Sequence, residues 1–478
     1  MNYRIIAYIM GWVLNFEGAF LLLPAITALV YGEKEGYAFL ICSLLSFVAG
    51  GLIVLKKPSN KRFYAREGFV ICSMTWIVIS LVGAIPFVIT GVLPNYIDAL
   101  FEIVSGFTTT GSSVITDLTP VPHCVLLWRS FSHWIGGMGV LVFILAVLPL
   151  FGGVDMHLMR AESPGPSVGK LVPNVKKTAS YLYKIYLGMT VVQFVILLLS
   201  GMNLFDSICI TFGTAGTGGF GIHNDSCLGY TMPQQTIIAV FMLLFGINFN
   251  VYFLIVRKKV KEIFNIEEVK WYLIIVFGAV AAIVINWGDT ENLYYSIHHA
   301  FFSVASVITT TGYGTVDFNL WPMFSKFVIV MIMFIGACAG STGGGMKVSR
   351  ILIYVKTVKK EIEGMIHQKS IKVLKMDGKI VEHSVIRNAN VYLVSYLMIM
   401  AVSLLIVALD NFDFETSFTA VAATFNNIGP GLGKVGPTGN FSEFSNLSKL
   451  VLTFDMLAGR LEIFPMLLLF SRATWSRK

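Results

Sequence analysis

Charge is what this sequence has least of. Only 13% of its 478 residues are Asp, Glu, Lys or Arg, about half the share of an ordinary soluble domain. A chain this poor in charge and 55% hydrophobic, with a mean hydropathy of +0.74, is built for lipid rather than water. Cysteine is scarce as well. The six cysteines (42, 72, 124, 209, 227 and 338) include no Cys-x-x-Cys and no histidine cluster nearby, which argues against zinc and dithiol redox sites. Cys124 and Cys227 both fall in outer loops and are the pair that an oxidising compartment could join; free thiols are the simpler reading. There is no His-Glu-x-x-His metal motif and no intramembrane grouping of His, Asp and Ser. His133, His298 and His299 stand isolated at the outer boundary and read as interfacial or structural. An enzyme is therefore not expected, nor an organic cofactor.

What the chain does have is apolar length. About 20 residues cross the hydrocarbon core, and ten stretches are long enough: 5–30, 37–55, 69–91, 125–151, 181–201, 235–256, 271–287, 324–354, 391–409 and 447–470. The first carries Glu17 and Pro24 and lacks a cleavage site, so it reads as a retained helix. The formal charge of +8 is distributed by side. Lys and Arg gather in Lys56–Arg66, Arg160–Lys184, Arg257–Lys261 and Lys347–Arg387 and at both termini, whereas the opposite loops lean acidic. An even number of spans places every basic segment, with the N- and C-termini, on the cytoplasmic face. The basic excess is topology, not a nucleic-acid footprint.

Between the spans one unit recurs, and internal repeats decide a fold early. Each unit has an apolar span, a half-length apolar segment, a glycine run, a second span and a basic inner loop. The half-length segments are Asn95–Phe107, Asn203–Ala215, Asn292–Ile308 and Asp413–Phe425. The runs behind them are TTTGS (108–112), GTGGFG (216–221), TTTGYG (309–314) and NNIGPG (426–431). Aligned on Gly111, Gly219, Gly312 and Gly429, they lie 108, 93 and 117 residues apart. Irregular backbone at membrane depth is tolerated only when buried in protein or lining a watery cavity, and four such segments meet that condition by converging on one axis. The expected fold is therefore an all-α polytopic membrane protein: four pseudo-symmetric helix–pore loop–helix repeats around one central pore, plus two N-terminal helices. The divisions are 1–68 for the helix pair, then 69–170, 171–262, 263–388 and 389–478 for the repeats.

Glycine lets successive carbonyls face a dehydrated cation. The expected cation ligands are thus the backbones of Thr109, Thr110 and Gly111; Thr217, Gly218 and Gly219; Thr310, Thr311 and Gly312; and Asn427, Ile428 and Gly429. Each half-length helix aims its partially negative C-terminus at the centre. Asp98, Asp206 and Glu415 sit near three of the outer starts, where an acid both caps and suits the dipole, and His299 is placed correspondingly in the third. Asp117, Asp225 and Asp317 follow their glycines by five or six residues and are candidates for an outer vestibule that concentrates cations; solvated loop acids are the equal alternative.

In the span after the third run, five glycines in ten residues preclude a continuous helix. Gly336, Gly340, Ser341, Thr342, Gly343, Gly344 and Gly345 are read as an intramembrane gate. Arg460 lies in the last span, where charge is costly and usually functional. It stands 31 residues past Gly429, as Gly343 stands 31 past Gly312, which places both at one depth. Asp377-Gly378, in the long inner loop, reads as a hairpin turn and a candidate dock for a regulatory partner.

In order and number, these motifs resemble those of the TrkH/TrkG/KtrB superfamily of potassium transporters across residues 70–478, and the two extra helices favour the TrkH-like branch. The resemblance implies potassium uptake, with the potassium ion as substrate. It also implies a pseudo-fourfold pore in each subunit, a homodimer, a TrkA-like cytosolic nucleotide-binding regulatory ring and a bacterial-type inner membrane. Gly336–Gly345 resembles the family's gating loop. The second and fourth runs depart from the TTTG form. An alternating-access secondary transporter is the competing reading, but repeats of one orientation favour a pore over inverted repeats.

Overall fold

In lipid each backbone N–H and C=O must bond within its own segment, so apolar runs of this length become helices. The computed structural model describes residues 1–58, 64–139, 175–287, 292–367 and 373–476. The N-terminal pair is α1 (Tyr3–Tyr31) and α2 (Gly36–Leu55). They pack closely through small residues: Ser43 Oγ donates to Gly18 O at 2.7 Å, and a Cβ on Gly50 would lie 2.6 Å from Gly11 O.

Repeat one comprises α3 (Ala65–Gly83), α4 (Ile85–Ile89), α5 (Tyr96–Phe107) and α6 (His123–Gly137). Repeat two comprises α7 (Val175–Leu199), α8 (Leu204–Gly216), α9 (Met232–Phe245), α10 (Phe249–Val256) and α11 (Val260–Ile263). Repeat three comprises α12 (Glu267–Trp287), α13 (Leu293–Ile308), α14 (Met323–Ile335) and α15 (Val348–Ile366), followed by β1 (Lys375–Met376) and β2 (Lys379–Ile380). Repeat four comprises α16 (His383–Val407), α17 (Phe414–Phe425), α18 (Asn446–Arg460), α19 (Phe464–Phe470) and α20 (Arg472–Trp475). The inner end of the span expected at 125–151, most of Arg160–Lys184 and the 170/171 repeat boundary lie outside the described residues.

Among the described residues, six helices are long and apolar enough to cross a membrane. They are the N-terminal pair and the opening span of each repeat, which in repeat one runs through α3 and α4 (Arg66–Ile89). The second helices of repeats two to four are broken, which corrects the expectation of continuous spans at 235–256 and 447–470. In the former, α9 and α10 meet at 89°, and Asn248 starts α10 by accepting from Asn250 N. In the latter, Glu462 and Ile463 take φ of +59° and +67° between α18 and α19. The third break, between α14 and α15, falls at the glycine cluster as expected. The hairpin is a tight two-residue turn with positive φ at Asp377 and Gly378, as an Asp-Gly turn requires. It is tied to the start of α12, where Glu267 N donates to Asp377 Oδ1 at 2.8 Å. All six cysteines are buried and none is in a disulfide, Cys124 and Cys227 included.

Candidate functional site

The site is made by the inner ends of α5, α8, α13 and α17. Each of these half-helices starts on a side-chain cap. Asn95, Asn203, Asn292 and Asp413 accept from the N–H of Ile97, Asp206, Tyr295 and Thr416. This corrects the assignment of capping to Asp98, Asp206 and Glu415. Those acids occupy the first turn and pair with Lys449, His223 and Lys326 at 2.6, 3.1 and 3.4 Å. His299 lies a turn deeper, against Thr315 Oγ1 at 2.9 Å.

All four half-helices end in the same way. Thr109, Thr217, Thr310 and Asn427 sit in the left-handed region at φ +55°, +55°, +57° and +56°. The N–H groups that follow, on Thr110, Gly218, Thr311 and Ile428, donate back to Ser105, Gly213, Ser306 and Ala423 at 2.8–2.9 Å. Each end is thus a Schellman cap built on a residue other than glycine. Two positions past the left-handed residue the chain turns positive again, at Gly111, Gly219, Gly312 and Gly429, with φ +83°, +77°, +88° and +99°. One backbone conformation therefore recurs four times.

The glycines also close the ring. A Cβ on Gly111 would lie 2.1 Å from Gly218 O, on Gly219 1.8 Å from Thr311 O, on Gly312 2.1 Å from Ile428 O, and on Gly429 2.7 Å from Thr110 O. Each run leans on the carbonyl preceding the next run's glycine, in chain order, and the fourth returns to the first. Ring closure leaves no room for a side chain at these positions. Above it is a cavity of about 220 Å³ whose wall includes all four glycines.

Asp117, Asp225 and Asp317 are not in that wall. Asp117 accepts from Asn224 Nδ2 at 2.7 Å and Thr119 N at 2.9 Å, and these bonds, led by that from Asn224, hold its carboxyl below the usual range. Asp317 caps the turn at Asn319 and accepts from Thr438. Asp225 is exposed beside Gly229.

Below the ring lies Gly336–Lys347, with φ of +72°, +69°, +75° and +77° at Gly336, Gly340, Gly345 and Lys347. Its two ends touch: a Cβ on Gly345 would lie 2.7 Å from Gly336 Cα. Gly344 N donates to Thr310 Oγ1 at 2.6 Å. Gly343 packs under Thr309 O and Gly344 under Asn426 O. Ser341 Oγ donates to Cys338 O at 2.6 Å, which holds the turn at Gly340. The rest of the loop is moored to the α9–α10 break. Cys338 N and Thr342 Oγ1 donate to Gly246 O (3.1 Å) and Phe245 O (3.2 Å), and Phe249 N donates to Gly340 O (3.0 Å). Glu268 of α12 accepts from Ala339 N and Ser349 N at 2.6 and 3.1 Å.

Arg460 reaches this loop from the opposite side. Its guanidinium donates to Thr342 O at 2.7 Å, Thr109 Oγ1 at 3.2 Å, and Gly136 O and Gly137 O at 2.5 and 2.9 Å. Of the two acids nearest it in the chain, Glu462 pairs with Arg350 and Asp455 accepts from Ser403. Lys347 donates to Gly343 O within the loop. No local signal announces that the ring-base hydroxyls have partners below the ring, Thr109 with Arg460 and Thr310 with Gly344 of the loop, because these contacts join different repeats.

Four half-helices aimed at one axis, a closed ring of positive-φ backbone and a folded loop beneath it, in a bundle of membrane-length helices, define an integral membrane transport protein of the four-repeat kind. The chain belongs to the TrkH family: the family's sequence profile, described as "Cation transport protein", matches residues 36–276 and 289–477. The Trk system potassium uptake protein TrkH of Escherichia coli (strain K12) is 34% identical over 99% of this chain and 100% of its own length. TrkG of the same strain is 34% identical over 99% and 98%. The crystal structure of the potassium transporter TrkH from Vibrio parahaemolyticus superposes with a TM-score of 0.87 at 31% identity, covering 100% of both chains. The family consists of transporters, not enzymes.

Proposed function

We propose that this protein takes up potassium across a bacterial-type inner membrane. Carbonyls of the ring at Thr109–Gly111, Thr217–Gly219, Thr310–Gly312 and Asn427–Gly429 replace the ion's water. The observation that carries this reading is the fourfold recurrence of one backbone conformation, closed glycine to carbonyl. Half-helix C-termini add negative potential at the centre. The loop Gly336–Gly345 with Arg460 is the gate: it fills the exit beneath the ring and puts a cation there, which raises the barrier to a second cation. The names of the relatives, each a Trk system potassium uptake protein, support potassium as the substrate. The protein works as a homodimer with both termini cytoplasmic. A nucleotide-binding regulatory ring acts through the hairpin at Asp377-Gly378, which is tied both to α12 and, by Lys356 to Lys375 O, to the gating helix α15. Asp117, Asp225 and Asp317 contribute rim charge only. Flux from the purified full chain in liposomes, with potassium, rubidium, sodium and lithium compared, tests the substrate. Potassium and rubidium should lead; equal flux for all four would refute potassium selectivity.

A further inference from the structure

Three of the four joints of the ring carry a bridge of neutral groups beside the runs, although ion pairs cross two of these boundaries further out, Lys449–Asp98 and Lys326–Glu415, and Arg460 reaches Thr109 from repeat four. Run two meets run three through Ser226 Oγ and Cys227 N on Gly314. Run three meets run four through the Asn319 clasp on Gly433. Run four meets run one through Ser112 Oγ on Gly429 O. The joint between runs one and two is different. There α6 presents Arg129 and His133, four residues apart and therefore on one face, towards Glu102 and Gly106, equally spaced on α5. Arg129 Nε donates to Glu102 Oε1 at 2.8 Å and its Nη1 to Gly221 O at 3.2 Å. His133 Nδ1 lies 2.7 Å from Gly106 O, and its Nε2 accepts from Phe220 N at 3.2 Å. Both of its partners are backbone groups of fixed polarity. The ring is therefore the neutral Nδ1–H tautomer, donating to one repeat and accepting from the next. The Phe220 ring lies between the two side chains, 4.2 Å from the guanidinium and 4.4 Å from the imidazole.

This contact accounts for the odd sequence of run two. A Cβ on Gly218 would lie 2.2 Å from the imidazole, and one on Gly216 2.2 Å from His133 O. Runs one and three carry threonines at both places, and those hydroxyls bond each other at 2.8 Å, Thr108 to Thr110 and Thr309 to Thr311. Run two gives up both side chains, and α6 with its histidine fills the room.

We propose that His133 is a positioning residue for ion selectivity: an external brace that does for run two what the threonine pair does within runs one and three, fixing the Thr217–Gly219 carbonyls at the ring radius. This rests on reading the ring as a potassium filter. It is tested with the full chain in liposomes, by the ratio of potassium to sodium flux beside the thermal unfolding midpoint. His133→Asn keeps a donor for Gly106 O but cannot reach Phe220 N; Gly218→Ala leaves the histidine in place and pushes its ring aside. Each should fold and should lower the ratio about five- to tenfold, the scale of one lost buried hydrogen bond. The double variant His133→Asn/Gly218→Ala should be no worse than the single variants, because both remove the same support. The brace is overturned if folded single variants keep the wild-type ratio, if only total flux falls, or if the losses multiply in the double variant. A wild-type protein that does not distinguish potassium from sodium would instead overturn the filter reading itself.

Discussion

Three threonines of the proposed ring are held under backbone strain. A β-branched residue in the left-handed region costs about 1–2 kcal/mol, yet Thr109, Thr217 and Thr310 all adopt it. Glycine would fit there without strain, so the threonines are held for what their side chains do. Thr109 accepts from Arg460, and Thr310 accepts from Gly344 of the loop. Thr310→Val keeps the shape and removes the acceptor. It leaves a buried N–H unpaired, at a cost of about 1–2 kcal/mol to the closed loop. Potassium flux without the regulator should then rise about five- to thirty-fold. Arg460→Ala, which cuts four hydrogen bonds and removes a charge, should raise it further. Unchanged or lower flux in either stably inserted variant would contradict the gating role.

At the level of elements, the half-helices were legible in sequence because their signals are local. A glycine run closes each, and each starts at Asn95, Asn203, Asn292 or Asp413, although sequence alone assigns the capping role to the acids of the first turn instead. Asp413 makes the test at this scale. Its carboxyl is held below the usual range by the hydroxyl and N–H of Thr416. A lowered value in the folded state means that the cap stabilises α17 above the ordinary aspartate range and loses its effect as pH falls through the lowered value. Asp413→Ala should therefore cost about 1 kcal/mol near neutral pH, with the difference from wild type shrinking on acidification; a gap in unfolding midpoint that stays constant would contradict this. The breaks in the second helices were only partly legible. Five glycines announce Gly336–Gly345. The α9–α10 break has one glycine, Gly246, and its freed carbonyls bond a loop of the next repeat. The α18 break has none, and Glu462 is held across to Arg350. Local sequence cannot announce a partner about a hundred residues away.

For the molecule as a whole, fourfold recurrence is what the spacing of Gly111, Gly219, Gly312 and Gly429 made visible, because ring closure admits only glycine there. On the proposed reading, the departures from that symmetry are where control is built. Arg460, the folded loop and the Arg129–His133 face each occur at one joint, and each depends on side chains that meet only after the repeats have assembled. The rim aspartates show the converse: they follow their glycines at similar offsets of five or six residues, but the fold engages Asp117 and Asp317 in turns. The central claim is that four unlike runs hold one ion on one axis. Anomalous scattering from crystals of the full chain grown in rubidium tests it most directly. The account predicts rubidium density on the ring axis, flanked by the carbonyls of Thr110, Gly218, Thr311 and Ile428; density confined to the aspartate rim, or to one repeat, would contradict it.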